Sequence, residues 1–145
     1  MVRRILWVFA VTGAVIFAAI TAMLLSGQSH IRVPAIAALV TFAAIILSFL
    51  GGIEAGLGLH EEVGTERTRS IALGLSVVPA LAGWGVLWLP SSQWQVGAAL
   101  ALFVAVWVSD LWLARQGLVP SWFVDMRTAV TAGVCVILGV ALYLL

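Results

Sequence analysis

From Ser70 to Ser109 the chain runs for 40 residues without one formal charge. A single α-helix needs only about 20 apolar residues to cross a hydrocarbon core. The segment is therefore long enough for two crossings. Its one strong break is Pro90-Ser91-Ser92-Gln93, a cluster of turn formers. This predicts two antiparallel neighbours, spanning about 70–89 and 94–114, joined by a tight connection. Three more apolar runs fit the same length rule, at about 5–25, 34–59 and 128–145. Pro34 is expected to open the second of the five spans, where a missing amide hydrogen costs least. The runs are continuous and lack an alternating polar face, which disfavours a membrane β-barrel. The expected fold is all-α: an integral membrane bundle of five transmembrane helices, forming one membrane domain over 1–145.

Composition agrees with lipid as the solvent. The hydrophobic fraction is 63% and the charged fraction 9%, against roughly 25% charged in soluble domains. The longest polar stretch, 60–70, holds His60, Glu61, Glu62, Glu66, Arg67 and Arg69 and reads as a loop. No basic block, helix-turn-helix pattern or zinc spacing points to nucleic acid. The lone Cys135 has no disulfide partner within the chain.

All seven basic residues are arginines, and they are unevenly placed. Arg3 and Arg4 precede the first run, Arg67 and Arg69 follow the second, and Arg115 and Arg127 follow the fourth. Only Arg32 falls in a gap of the other parity. Cytoplasmic segments carry the Lys/Arg excess, so the N-terminus is expected inside and the C-terminus outside. Arg3-Arg4 also resembles the start of a signal peptide, but the uncharged run Ile5–Ser29 exceeds the usual core of about 7–15 residues. It is read as a retained span. The chain is tryptophan-rich, with seven. Trp7, Trp112 and Trp122 fall near the inner interface and Trp88 and Trp94 near the outer one, where an amphipathic ring belongs. Trp84 and Trp107 lie deeper, in reach of either packing or ligand stacking.

Two acids break the membrane rule, Glu54 and Asp110. Each lies about five residues before the inner end of its span, roughly 7 Å deep at 1.5 Å per residue. A charge at the bilayer centre costs about 2.5–3.5 kcal/mol on insertion scales. Both acids should therefore face the bundle and find partners. Glu54 shares a helical face with Gly51 and Gly58, while Gly52 and Gly56 form a small-xxx-small pair on the adjacent face. These four glycines are candidate helix-packing positions. Asp110 shares its face with Val106, Trp107 and Ala114, and its candidate cations are Arg127 and Arg115. A buried polar cluster of Glu54, Asp110 and Arg127 is expected. It serves either as an ion pair fixing helix register or as a site for a ligand or proton. Candidate ligand-lining residues are Trp107, Trp122, Pro79 and Trp84. Pro79 removes a backbone bond in mid-span and frees the carbonyl of Leu75.

No catalytic constellation is found, and neither a metal nor a cofactor is expected. His60-Glu61-Glu62-Val63-Gly64 begins like a zinc-protease motif but has Gly64 where the second histidine belongs. Leu57 stands where a di-iron helix would need histidine after Glu54. No nucleophile elbow or phosphate-binding loop occurs.

A resemblance adds to this reading. Ser48-Phe49-Leu50-Gly51-Gly52-Ile53, then Ser76-Val77-Val78-Pro79-Ala80-Leu81 with Trp84, then Asp110, then Leu118-Val119-Pro120-Ser121-Trp122-Phe123 with Arg127 and Thr131, follow in order. Together they resemble the bacterial domain-of-unknown-function family 3429, which is similar to eukaryotic transmembrane protein sixty-nine. The resemblance spans about 34–145 and implies a small multi-pass protein, placed in the bacterial inner (cytoplasmic) membrane, with no implied activity. Where the family has a Trp-Gly step after the double glycine, this chain reads Ile53-Glu54-Ala55-Gly56.

Three functions fit these features. The first is a bundle binding a small amphipathic molecule (a lipid, quinone or tetrapyrrole) at the inner-leaflet cluster. The second is an interaction or assembly subunit of a larger membrane complex, or a homo-oligomer. The third is a proton-coupled transporter, although no inverted repeat is visible. Membrane lipid is the expected surrounding in every case.

Overall fold

The computed structural model describes residues 2–60 and 62–145, and Glu61 of the charged loop lies outside them. They form five α-helices: α1 Val2–Leu25, α2 Ser29–Leu59, α3 Glu66–Val86, α4 Ser92–Arg115 and α5 Ser121–Leu144. All five are long and apolar enough to cross a membrane, the mark of an integral membrane protein. No strand occurs among the described residues.

The helices alternate in direction, so α1, α3 and α5 start at one end of the bundle. That end carries Arg3, Arg4, Arg67, Arg69 and Arg115 and is called the arginine-rich end below. In the bundle, α2 packs against α1, α3 and α4, while α5 packs against α1 and α4. Among the described residues α2 and α5 make no close backbone approach. The space between them is walled by α1 and floored by α4.

Local chemistry explains the helix ends. Thr65 starts α3 with a capping box: its hydroxyl accepts from the Thr68 amide, and Thr68 Oγ1 accepts from the Thr65 amide at 2.9 Å. α3 ends at Val86, earlier than the span expected from hydropathy. Leu87, Trp88 and Leu89 then donate to carbonyls three residues back, the tightened last turn seen before a proline. Gln95 Nε2 bonds the carbonyls of Leu87 and Leu89 at 3.2 and 3.1 Å, clamping this hairpin shut. α4 ends in a Schellman motif. Gly117 adopts φ +79°, its amide donates to Ala114, and the Leu118 amide donates to Leu113. The accompanying apolar contact places Leu113 and Leu118 in one buried cluster.

Three starts lie four or more residues before expectation. α3 begins at Glu66, so Glu66, Arg67 and Arg69 of the expected loop are helical. α2 begins at Ser29, so Pro34 lies inside the helix and does not open it. α5 begins at Ser121, seven residues before the expected span, and carries Asp125 and Arg127 within the helix. Arg127 is consequently a buried helical residue and no longer a loop cation. At the other end Arg32 donates to the carbonyls of Leu144 and Leu145 at 3.0 and 3.2 Å, satisfying the C-terminus of α5.

The main core is a stack of Phe17, Leu39, Leu47, Val96, Phe103 and Leu138. Phe17 meets Phe42 and Phe103 edge to face, with centroids 4.9 and 5.7 Å apart. A second cluster at the arginine-rich end gathers Ala72, Leu113, Leu118, Val119, Phe123 and Met126. Large apolar side chains also cover the outside, among them Val8, Phe49, Val77, Leu81, Val108 and Val136. In water such a surface would be a liability; against acyl chains it is solvated.

Candidate functional site

α2, α4 and α5 each bring one ionisable side chain to the same layer near the arginine-rich end. Glu54, Asp110 and Arg127 are 1%, 3% and 6% exposed. Arg127 Nε donates to Asp110 Oδ2 at 2.6 Å, a buried charge-assisted bond between α5 and α4. Arg115, the other candidate cation, is exposed. Glu54 has Ser109, Asp110 and Arg127 as polar neighbours. Among the described residues, no hydrogen bond reaches either of its oxygens.

The layer is under-satisfied. Besides both Glu54 oxygens, Ser109 Oγ, Arg127 Nη2 and Thr131 Oγ1 are buried without a hydrogen-bond partner among the described residues. A buried polar atom left unpaired costs about 1–3 kcal/mol. Ser109 Oγ lies beside Glu54, so a small rotation lets it donate to that carboxyl, and Arg127 Nη2 and Thr131 Oγ1 are then the atoms that call for water or another partner.

Two of these residues, Arg127 and Thr131, also contribute to the wall of a cavity. It has a volume of about 80 Å³ and lies between α1, α2 and α5, with Phe103 of α4 at its back. Leu6, Ala10, Gly13 and Phe17 line it from α1, Phe49 and Ile53 from α2, and Arg127 and Thr131 from α5. Phe17 and Phe103 at the back are fully buried, whereas Phe9 and Phe49, also lining it, are 61% and 54% exposed. The cavity therefore opens sideways, between α1 and α2, onto the surface that hydrocarbon would cover.

The expected cluster of Glu54, Asp110 and Arg127 is brought together. The four expected lining residues are placed elsewhere. Trp107 donates its Nε1 to Thr128 Oγ1 at 3.0 Å and lines an open groove of about 230 Å³ between α4 and α5 with Val104, Thr131, Ala132 and Cys135. Trp122 packs edge to face on Phe123, and the Arg3 guanidinium lies 6.0 Å from its ring centroid. Trp84 is exposed and meets Trp88 edge to face. Pro79 is buried in the seam between α2 and α3.

The glycines divide in two. A Cβ on Gly51 would run into the Ser76 carbonyl oxygen, and one on Gly58 would lie 2.7 Å from Leu73 Cγ and 3.0 Å from the Arg69 carbonyl. Both therefore hold α2 close to α3. Gly52 and Gly56 face outward, with nothing within 4 Å of an added Cβ.

The cavity's α1 wall escaped sequence reasoning. Ala10, Gly13 and Ala14 carry no polar group and are indistinguishable in sequence from a lipid-facing stripe. Thr131, which the sequence offers beside Arg127 only through the family resemblance, follows Arg127 by one helical turn and so shares its face.

A family profile described as Protein of unknown function (DUF3429) matches residues 2–143. No curated protein and no solved structure matches the chain.

Proposed function

The chain belongs to the DUF3429 family, and we propose that it is a non-catalytic membrane bundle that holds a small amphipathic molecule in the cavity between α1, α2 and α5. One observation carries this reading. The cavity wall is apolar but includes the Arg127 and Thr131 side chains, whose unpartnered polar atoms lie buried just behind it. A mostly apolar concavity with a few convergent polar groups is the usual form of a small-molecule site.

The arginine excess at one end supports a cytoplasmic position for that end in a bacterial inner membrane, with the N-terminus inside and the C-terminus outside. A periplasm-dependent reporter fused after Leu145 is expected to be active; activity of a cytosol-dependent one instead would reverse the topology.

Native mass spectrometry of the full chain released from a mild detergent tests the binding reading. The expected result is a co-purifying small molecule that is lost in Gly13→Leu. Gly13 lines the cavity and an added Cβ there meets nothing within 4 Å. The variant fills the space while leaving the Asp110–Arg127 pair intact. A spectrum without adduct, or an adduct indifferent to Gly13→Leu, would defeat the proposal.

A second reading, an assembly subunit or homo-oligomer, is favoured by the outward Gly52 and Gly56. Glycines four residues apart allow close approach of another membrane helix. In-membrane cross-linking from α2 that recovers a second chain would support it.

A further inference from the structure

We infer that Glu54, Asp110 and Arg127 form a sealed site for one proton, and that Glu54 holds it. Glu54 takes no part in the wall of the cavity between α1, α2 and α5. The proton site therefore stands whether or not that cavity is occupied.

Charge sets the requirement. The layer contains two acids and one cation, each less than a tenth exposed. The cation is committed, because Arg127 Nε donates to Asp110 Oδ2 at 2.6 Å. A guanidinium–carboxyl bond of that length is charge-assisted, which makes Asp110 the ionised acid. Glu54 receives no hydrogen bond at either oxygen among the described residues. Ionised, it would be a second anion beside Asp110, and burial and the neighbouring like charge both oppose that. Its polar neighbours are Ser109 and Asp110 of α4 and Arg127 of α5. The other charged residues on the helices packed against α2 lie in terminal turns: Arg3 and Arg4 of α1, Glu66, Arg67 and Arg69 of α3, and Arg115 of α4. The layer itself is one positive charge short.

Space chooses the ligand that supplies this charge. Both Glu54 oxygens and Ser109 Oγ are shut off from water, so a hydrated ion does not fit. A divalent cation would turn the deficit into an excess. A monovalent metal ion needs a shell of oxygens, and with Asp110 engaged by Arg127 the neighbours of Glu54 add the Ser109 hydroxyl. Among the described residues no three His, Cys, Asp or Glu side chains gather as a metal site. A proton needs no room. On Glu54 it leaves a neutral carboxyl that still accepts from the Ser109 hydroxyl and gains a donor of its own.

The seal gives the site its behaviour. With its oxygens closed to water, Glu54 exchanges its proton only when α2 and α4 part far enough to hydrate the layer. Holding the proton favours the closed bundle, and losing it leaves an unpaired buried anion that favours the open one.

Infrared spectroscopy of the purified full chain at pH 7.5 tests the inference. The chain is held in a maltoside detergent, which has no carbonyl group, so the carboxylic-acid stretch is unobscured. The expected signal is one protonated carboxyl per chain, shifted by ¹³C-glutamate labelling and unmoved by ¹³C-aspartate. Glu54→Gln and Asp110→Asn each leave one acid against Arg127, so the signal should vanish in both. Arg127→Gln leaves two acids without a cation and should double it. The labelled parent needs no substitution, so the result does not depend on a variant folding. On transfer to deuterated buffer the band should shift slowly, with the opening of the bundle. A parent without the band, or a band that survives Glu54→Gln, would overturn the proton site. A band moved by ¹³C-aspartate would overturn its placement on Glu54, and a deuterium shift complete on mixing would overturn the seal. A band that appears only when sodium is replaced by choline would overturn the proton in favour of a metal cation.

Discussion

The two sides of α2 are packed by opposite rules. Toward α3 the backbones close to the point where Gly51 and Gly58 cannot carry a Cβ, and Gly83 of α3 would place one 3.3 Å from Ala44 Cα. Toward α1 and α5 the same helix faces a cavity, and Gly13 on α1 has open space where its Cβ would be. α1 is also the least enclosed helix, with 11% of its span buried against 39% for α2. Without a hydrophobic force between helices in lipid, van der Waals contact is the main adhesive. The α2–α3 pair is therefore the rigid part of the bundle. α1, the least enclosed, is held more loosely.

The Asp110–Arg127 bond joins the two regimes, because it fastens α5, which borders the cavity, to α4, which packs on the α2–α3 side. Removing one partner leaves the other as an uncompensated buried charge, at a cost of about 3–5 kcal/mol. Asp110→Ala is expected to show the largest loss of any single change considered, read as a lowered midpoint in denaturant titration of the detergent-solubilised protein. Asp110→Asn keeps an acceptor and should lose less. Equal stability of Asp110→Ala and the parent would mean that the pair does not hold α5 in place.

The next effect separates the two sides of α2 directly. Gly51→Ala forces a methyl group into the Ser76 carbonyl, a backbone atom that cannot step aside. Overpacking of this kind costs about 1–3 kcal/mol. Gly58→Ala meets the flexible end of Leu73 as well as the Arg69 carbonyl, so its loss should be the smaller of the two. Gly13→Ala should cost nothing, because its Cβ enters open space. A thermal-shift series in which Gly13→Ala is as damaging as Gly51→Ala would erase the distinction between seam and portal.

What was legible in the sequence follows from the strength of each physical signal. Forty uncharged residues with one turn cluster specify two helices, because hydrocarbon leaves the backbone no alternative. The gathering of Glu54, Asp110 and Arg127 in one layer was legible, since ionisable groups in a span must turn inward; the partner expected for each acid is found for Asp110, whereas Glu54 has no hydrogen bond among the described residues. The start of α5 was misjudged because hydropathy counts Asp125 and Arg127 against a helix. In fact Arg127 is neutralised by Asp110, and Asp125 is exposed near the helix's first turns. The tryptophans lie apart from that cluster: Trp84 is exposed, Trp122 packs partly buried on the second core cluster, and Trp107 is engaged by Thr128. The cavity itself was invisible, because it is made by small apolar residues of α1 that differ from lipid-facing ones only in what stands opposite them.

The smallest expected effect bears on the outward face of α2. Gly52 and Gly56 meet nothing within 4 Å, so if lipid alone covers them, alanine should fit at both positions. Glycine in a helix interior is less stable than alanine by about 0.5–1 kcal/mol, through the entropy its backbone loses on folding. Gly52→Ala is therefore expected to raise the denaturation midpoint slightly, opposite in sign to its neighbour Gly51→Ala one residue away. The sign is informative because a second chain packed at that face would reverse it: the added methyl would then meet a helix backbone as it does at Gly51. Measuring Gly52→Ala both in dilute detergent and in membranes separates the cases. A rise in both marks the face as lipid-covered, and a rise in detergent with a fall in membranes marks it as an interface between chains.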